Sequence, residues 1–238
     1  MHSILNSQKL NPASVQFLDQ LQTLAVDISS RNNNLVKPWN PEAIERYKLK
    51  EAKKQERILK DSLVYADVFT AVGAETNPVE NIERRLLEVC ANKLGIVFDP
   101  NVYNTVTNDH IIEVYNEDLI QIYRNLSFFN LCSYNLLDLL SHEYYELYER
   151  SVQVNTQLFE VIKVLNSRPY NLEPISLTHI APHVMREKFS DEQKSFIIQF
   201  QTMHPVYTWS RKFYGYLVLQ TAEVAATTSA ETSNLHFL

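Results

Sequence analysis

Glycine is scarce in this chain of 238 residues, which holds only Gly73, Gly95 and Gly215. The GxGxxG loop of dinucleotide-binding domains and the GxxxxGK loop of P-loop proteins both need clustered glycines, because their backbone must approach phosphate groups closely. The three glycines are too far apart to form either loop. Their spacing therefore argues against Rossmann dinucleotide-binding domains and P-loop nucleoside triphosphatases.

The chain also has no excess of basic charge, no long apolar run and few cysteines. The net charge of −6 argues against a dedicated nucleic-acid binder. No apolar run approaches the roughly 20 residues that a membrane-spanning helix needs, and the N-terminal segment lacks the pattern of a secretory signal. The two cysteines, Cys90 and Cys132, share no short-spacing motif, so we expect no disulfide framework. We therefore expect a cytoplasmic protein without membrane or nucleic-acid partners.

Residues 1–95 carry helical patterns. With 45% hydrophobic residues the chain can build a sizeable core. Asn11-Pro12 opens a helix that continues to about Ile28, and Asn40-Pro41 opens a second helix that can run to Gly73. A third helix is predicted from Thr76-Asn77-Pro78 to Gly95, where glycine can adopt the left-handed conformation that ends many helices.

The second predicted helix, about 30 residues long, carries a seam of small and apolar residues. The seam consists of Leu49, Ala52, Leu59, Leu63 and Ala66, and Glu56 interrupts it. It predicts a homodimer through residues 41–72, while packing of the same residues onto neighbouring helices remains the alternative. Residues 41–60 also hold seven Lys or Arg and four Glu, an interleaving typical of a solvated helix face.

After Gly95 the hydrophobic period changes from that of a helix to that of strands. Residues 110–115 and 118–124 are predicted strands around the turn-like Asn116-Glu117, and a helix follows directly over residues 126–140. Residues 154–168 form another predicted helix.

Three extended segments follow Pro174 and are expected to pair as antiparallel hairpins, with loops at 190–194 and 210–212. Phe196, Ile198 and Phe200 alternate with more polar neighbours, as in a half-buried strand. The pattern predicts an α+β fold, and residues 226–238 are expected to form a flexible tail.

Residues 96–225 resemble a PAS domain, a sensor module of bacterial signalling proteins. Two strands are followed by Asn125 at the position of the family's asparagine, and Phe128 and Phe129 occupy its helical aromatic position. Ser133-Tyr134 stand where Gly-Tyr is usual, and a leucine-rich stretch and three antiparallel strands follow. The resemblance implies a five-stranded antiparallel sheet flanked by helices, preceded here by the helical region 1–95.

The resemblance also implies a sensory or protein-interaction module that holds a ligand between its sheet and its helices. If the strand around residue 198 faces the helices, the pocket is lined by Phe128, Leu131, Cys132, Phe159, Ile162, Phe196, Ile198 and Phe200. This apolar lining predicts a small hydrophobic or aromatic ligand and argues against phosphate-bearing cofactors, and it identifies no particular cofactor. The alternative is that the same residues fill a solid core.

Other chemistry has weaker support in the sequence. His179 and His183 lie about 13 Å apart if the segment is a strand, too far to share one metal ion. Cys132 lacks the neighbours of the flavin-reactive cysteine of light-sensing PAS domains, and no GxSxG nucleophile elbow occurs. We therefore predict neither a metal site nor an enzyme. A helical scaffold or adaptor without a ligand, or an enzyme whose site lacks a known motif, are the alternative functions.

Overall fold

The computed structural model describes residues 12–32, 34–74 and 81–225. Within them the helices are α1 (Pro12–Ser30), α2 (Pro41–Lys48), α3 (Ala52–Gly73), α4 (Ile82–Leu94), α5 (Val102–Thr105), α6 (Leu126–Leu131), α7 (Leu136–Ser141), α8 (Tyr144–Leu147) and α9 (Val152–Ser167). The strands are β1 (Ile96–Val97), β2 (Ile111–Asn116), β3 (Gln121–Arg124), β4 (Tyr148–Glu149), β5 (Ile175–Ser176), β6 (His183–Glu187), β7 (Ser195–Thr208) and β8 (Phe213–Val224). Helices precede the first strand, so the predicted α+β class with a helical N-terminal region is confirmed.

All strands of the described chain join one antiparallel sheet. Its order is β3-β2-β8-β7-β6-β4, and β1 and β5 each pair with β7. The β7–β8 hairpin, with strands of 14 and 12 residues, forms its centre. The sheet is larger than the five strands predicted. The additional strands β1, β4 and β5 have two residues each, too few for an alternating pattern to be read from the sequence.

Helices cover both faces of the sheet. On one face Tyr65 of α3 packs edge-to-face against Tyr123 of β3, with ring centres 5.8 Å apart. On the other face Tyr115 of β2 packs against Tyr144 of α8 at 5.7 Å. Buried apolar side chains from α1 through β8 belong to one continuous cluster. None of the described helices is long and apolar enough to cross a membrane.

The predicted continuous helix over residues 41–73 is wrong, because the chain breaks between α2 and α3. The Gln55 side chain donates hydrogen bonds to the carbonyls of Tyr47 (3.2 Å), Lys48 (3.3 Å) and Lys50 (2.8 Å). It thereby satisfies acceptors that a continuing helix would have bonded itself. Leu49 lies in this break and is 88% exposed. The spacing of hydrophobic residues along the sequence cannot reveal a helix end that one side chain caps.

The predicted helix over residues 126–140 is likewise two helices, α6 and α7. Asn135 caps α7 by accepting a hydrogen bond from the Asp138 amide (2.9 Å). Other expectations are confirmed: α1 spans its predicted segment, and Gly95 ends α4 with a left-handed φ of 64°. The proposed start of α4 at residues 76–78 and the tail 226–238 lie outside the described residues.

Buried carboxylates tie the N-terminal helices to the sheet half of the chain. Glu83 of α4 accepts hydrogen bonds from the Leu126 (3.1 Å) and Ser127 (2.7 Å) amides at the start of α6. This interaction satisfies two amides that have no partner within α6. Nη2 of Arg46 in α2 donates hydrogen bonds to both carboxylate oxygens of Asp138 in α7, and the shorter of the two is 2.7 Å. The N-terminal helices α2 and α4 are therefore joined to helices α7 and α6 by buried polar contacts.

Candidate functional site

Two small cavities lie between the sheet and the helices that follow β3. The first, here the Arg150 cavity, has a volume of about 30 Å³. It is lined by Tyr115, Leu119, Tyr144, Arg150, Leu158, Ile162, Phe200, Met203, Tyr216 and Val218. The second, here the Cys132 cavity, has about 10 Å³ and is lined by Ile111, Phe128, Leu131, Cys132, Tyr148, Met185, Phe196, Ile198, Gln220 and Ala222. The first has room for about two water molecules and the second for about one at most.

The predicted pocket residues are divided between the two cavities. Ile162 and Phe200 line the Arg150 cavity. Phe128, Leu131, Cys132, Phe196 and Ile198 line the Cys132 cavity. The predicted position of Phe159 is wrong, because its side chain is 40% exposed and lines neither cavity. The buried face of α9 consists of Val154, Leu158, Val161 and Leu165, and the next residue after Leu158 is rotated about 100° around the helix axis from that face.

A buried polar cluster lies on the same sheet face, and sequence reasoning missed it. Its centre is Glu113 of β2, which is only 3% exposed. Its carboxylate accepts hydrogen bonds from Tyr115 Oη (2.8 Å), from Gln220 Nε2 (2.9 Å) and from Gln121 Nε2. Tyr115 lines one cavity and Gln220 lines the other, so the cluster reaches both. Arg150 in the first cavity and Gln220 in the second add polar groups to linings that are otherwise apolar or aromatic.

Arg124 of β3 extends this cluster toward the other elements. Its Nη2 donates to Gln121 Oε1 and to the Leu139 carbonyl, both at 2.6 Å. The Arg124 carbonyl accepts a hydrogen bond from Tyr65 Oη of α3. The guanidinium also lies 5.6 Å from the centre of the Phe128 ring. The cluster thus connects the cavity face to α7 and to the N-terminal helix α3.

The surroundings of Glu113 change its acidity. Burial raises the pKa of the Glu113 carboxyl, while the hydrogen bond from Tyr115 and the charges of Arg150 and Arg124 act in the opposite direction. The alternation of residues in β2 could have shown that Glu113 is buried. Glu113 is two residues from both Ile111 and Tyr115, so its side chain points to the same face of the sheet as theirs. A carboxylate at an inward position is a buried polar group that needs partners.

Arg150, which follows β4, lies among three aromatic rings. Its guanidinium carbon is 5.2 Å from the ring centre of Tyr144, 5.7 Å from that of Phe200 and 6.0 Å from that of Tyr148. Within the described part of the chain, its buried Nε has no hydrogen-bond partner, and neither does the buried hydroxyl of Tyr144. Both residues line the Arg150 cavity. Two residues of the cavity wall therefore carry buried, unpaired donors, which a bound acceptor would satisfy.

The cysteine and histidine candidates have ordinary surroundings. Cys90 and Cys132 are buried and free, and Cys132 Sγ is 3.7 Å from Tyr148 Oη. Burial raises the pKa of both thiols, so both are kept protonated. His179 is exposed, whereas His183 lies half-buried on β6 with Nδ1 3.2 Å from the Ala181 carbonyl. No group of three or more His, Cys, Asp or Glu among the residues with described positions could hold a metal ion.

No protein-family model matches this chain, and no curated protein matches it significantly. The site must therefore be interpreted from its own chemistry. It combines apolar walls, the hydrogen-bonded carboxyl of Glu113 and two unpaired donors on one sheet face. Such a site can bind a small molecule by burying its apolar surface and by donating hydrogen bonds to one polar end.

Proposed function

We propose that this chain is a sensory or protein-interaction module of signal transduction, PAS-like over residues 96–225. In this proposal it binds a small, mainly apolar ligand between the sheet and helices α8 and α9. The order of elements supports the resemblance: the β2–β3 pair, a series of short helices, and then β6, β7 and β8 as antiparallel neighbours. Asn125 supports it too, since its side chain bonds the Ile112 amide (3.0 Å) and the His110 carbonyl at the start of β2.

The observation that carries the proposal is the Arg150 cavity, which lies at the interface of sheet and helix where the ligand is expected. Its 30 Å³ is far below the roughly 300 Å³ of a typical ligand pocket. A ligand must therefore displace an element, and α9 is the element that supplies Leu158 and Ile162 to the cavity wall. In the described residues one hydrogen bond joins α9 to the sheet, from Tyr216 Oη to Asn166 Oδ1 (2.6 Å).

The mechanism would be a shift between two arrangements of the module. In the open arrangement α9 is displaced from the sheet, and in the closed one it covers the cavity. A ligand that binds the open arrangement more tightly shifts the equilibrium toward it, by the difference between its binding free energies for the two arrangements. The polar cluster offers a route to the other side of the sheet, since Arg124 bonds both Gln121 and, through its carbonyl, Tyr65 of α3. A partner protein that contacts the N-terminal helices could then distinguish the two arrangements.

A homodimer through residues 41–72 is part of the proposal, although the break at Leu49 shortens the seam. On α3 the seam keeps Leu59 and Ala66, which are half-buried, Leu63, which is 41% exposed, and Ala52, which is exposed at the first position of the helix. An exposed apolar ridge of this kind can pack against its copy on a second chain. We also place the protein in the cytoplasm, where the two buried free thiols would stay reduced.

Native mass spectrometry of the purified full chain tests the binding function. The expected result is a retained or titratable small molecule that shifts the mass of the folded protein. Val218→Leu, which adds one methylene to the wall of the Arg150 cavity, is expected to lower its occupancy. The matched control is Val184→Leu, because Val184 is 58% exposed on β6 and lines neither cavity. A protein that retains no molecule and binds no apolar probe would favour the scaffold or adaptor alternative.

A further inference from the structure

We propose that the Arg150 cavity is built for a ligand with a carboxylate group, for which Arg150 and Tyr144 are the donors. The inference rests on the proposed function, because it names the chemical class of that ligand. Its polar end would contact the guanidinium of Arg150 and the Tyr144 hydroxyl. Its aromatic or aliphatic body would lie against Phe200, Ile162 and Val218, which line the same cavity.

The first step in the argument is that Arg150, which is half-buried, lacks the partners that the half-buried Arg46 and the buried Arg124 have. Arg46 binds both oxygens of Asp138, and Arg124 binds Gln121 and a main-chain carbonyl. For Arg150, no hydrogen bond or ion pair occurs within the described residues, and its Nε is buried. A buried donor without an acceptor costs free energy, so a bound acceptor would be stabilising here.

The second step is that the buried carboxyl of Glu113 already has hydrogen-bond partners of its own. Glu113 lies close enough for the charge of Arg150 to lower its pKa. Its oxygens, however, accept hydrogen bonds from Tyr115, Gln121 and Gln220. Glu113 therefore does not take up the donors of Arg150. The donors remain available to an acceptor from outside.

The third step is that a carboxylate matches these donors better than the other common anions. A guanidinium offers parallel N–H groups with the geometry of a carboxylate, and the Tyr144 hydroxyl adds one more donor. A phosphate dianion would bring two charges against one guanidinium, beside the buried Glu113. The remaining walls, Leu158, Ile162, Met203 and Val218, are apolar and suit a hydrocarbon body.

The test compares benzoate with benzyl alcohol, a neutral probe of similar size, by calorimetric titration of the full chain. We expect benzoate to bind the unchanged protein at least about tenfold more tightly, the gain typical of a charge-assisted hydrogen bond. Arg150→Met should remove this preference and leave the affinity for benzyl alcohol within about threefold, since the methionine still covers the rings. Tyr144→Phe keeps the ring and should reduce the preference by about two- to fivefold, as expected for one hydrogen bond.

Arg211→Met is the matched control, because Arg211 also lies over an aromatic ring, Tyr170 at 5.3 Å, and lines neither cavity. Its benzoate preference should equal that of the unchanged protein. If Arg150→Met does not fold, Arg150→Lys and Tyr144→Phe decide the matter, because both keep the cavity wall. Equal affinity for the two probes, or a preference that survives in the Arg150 and Tyr144 variants, would overturn the carboxylate assignment and leave the apolar pocket intact. Failure of both probes to bind would overturn the proposed function as well.

Discussion

Glu113 and Arg124 lie directly opposite each other on β2 and β3, both almost fully buried, and Gln121 bridges them. The Gln121 amide nitrogen donates to Glu113, and its carbonyl oxygen accepts from Nε (3.0 Å) and Nη2 (2.6 Å) of Arg124. The bridge gives the Glu113 carboxyl and the Arg124 guanidinium one shared neutral partner. Buried charges are tolerated only with such compensation, so the network strongly constrains the sheet face that lines the two cavities.

The first prediction concerns this bridge. Gln121→Leu would leave a carboxylate and a guanidinium buried with fewer partners, and we expect a loss of about 3–5 kcal/mol in the free energy of unfolding. Gln201→Leu is the control, because Gln201 lies half-buried at the irregular pairing between β7 and β8 and its side chain bonds His110 (3.0 Å). Its expected cost is about 1 kcal/mol. Urea unfolding measures both, and equal losses would show that the bridge has no special role.

The second prediction concerns pH. Burial raises the pKa of Glu113 above its usual 4.5, so the folded state binds its proton more tightly than the unfolded state does. Stability contributed by this group is therefore present below pH 4.5 and is lost as the pH rises through the raised pKa. Glu113→Gln removes this titration, so the unfolding free energy of the variant should improve relative to the unchanged protein as the pH rises from 4.5.

Unfolding by urea at a series of pH values measures this difference between the two proteins. Glu117→Gln is the control, since Glu117 is an exposed residue of the turn directly after β2. Its stability difference from the unchanged protein should stay nearly constant with pH. A difference for Glu113→Gln that is also constant would mean that the carboxyl has the same pKa in both states.

The third prediction separates the two phenylalanines of the predicted pocket. Phe200 is 3% exposed and contacts Arg150, whereas Phe159 is 40% exposed on α9. The small cavity beside Phe200 means that its surroundings are almost fully packed. Phe200→Ala should therefore cost about 3–5 kcal/mol of unfolding free energy and Phe159→Ala about 1 kcal/mol or less. Denaturant unfolding of the two variants checks the ranking, and comparable costs would contradict the described burial.

The fold was predictable where a regular pattern extends over several residues. Phe196, Ile198 and Phe200 are buried on β7 and Gln199 is exposed, as their alternation predicted. Prediction failed where one side chain decides the local path. Gln55 caps the end of α2 through three carbonyls, which no hydrophobic period reveals. It failed again for Arg150, whose position among aromatic rings depends on contacts with residues distant along the chain, such as Phe200.

The fourth prediction concerns the homodimer. Leu63→Glu places a charge on the exposed ridge of α3 and should convert a dimer to a monomer without unfolding it, because Leu63 is 41% exposed. Val15→Glu on α1 is the control, since Val15 is 42% exposed and lies outside the seam. Sedimentation at micromolar concentration distinguishes the states. A single 27.7 kDa species for the unchanged protein would exclude the dimer.

The location of a bound apolar probe tests the central claim most directly. In a titration of the isotope-labelled full chain with benzyl alcohol, followed by amide NMR shifts, we expect the largest changes in α9 and beside Phe200 and Val218. These residues line the Arg150 cavity, which α9 must uncover for a ligand to enter. Shifts confined to the open groove beside Val26 and Leu35, or no shifts at all, would contradict a ligand site between the sheet and its helices.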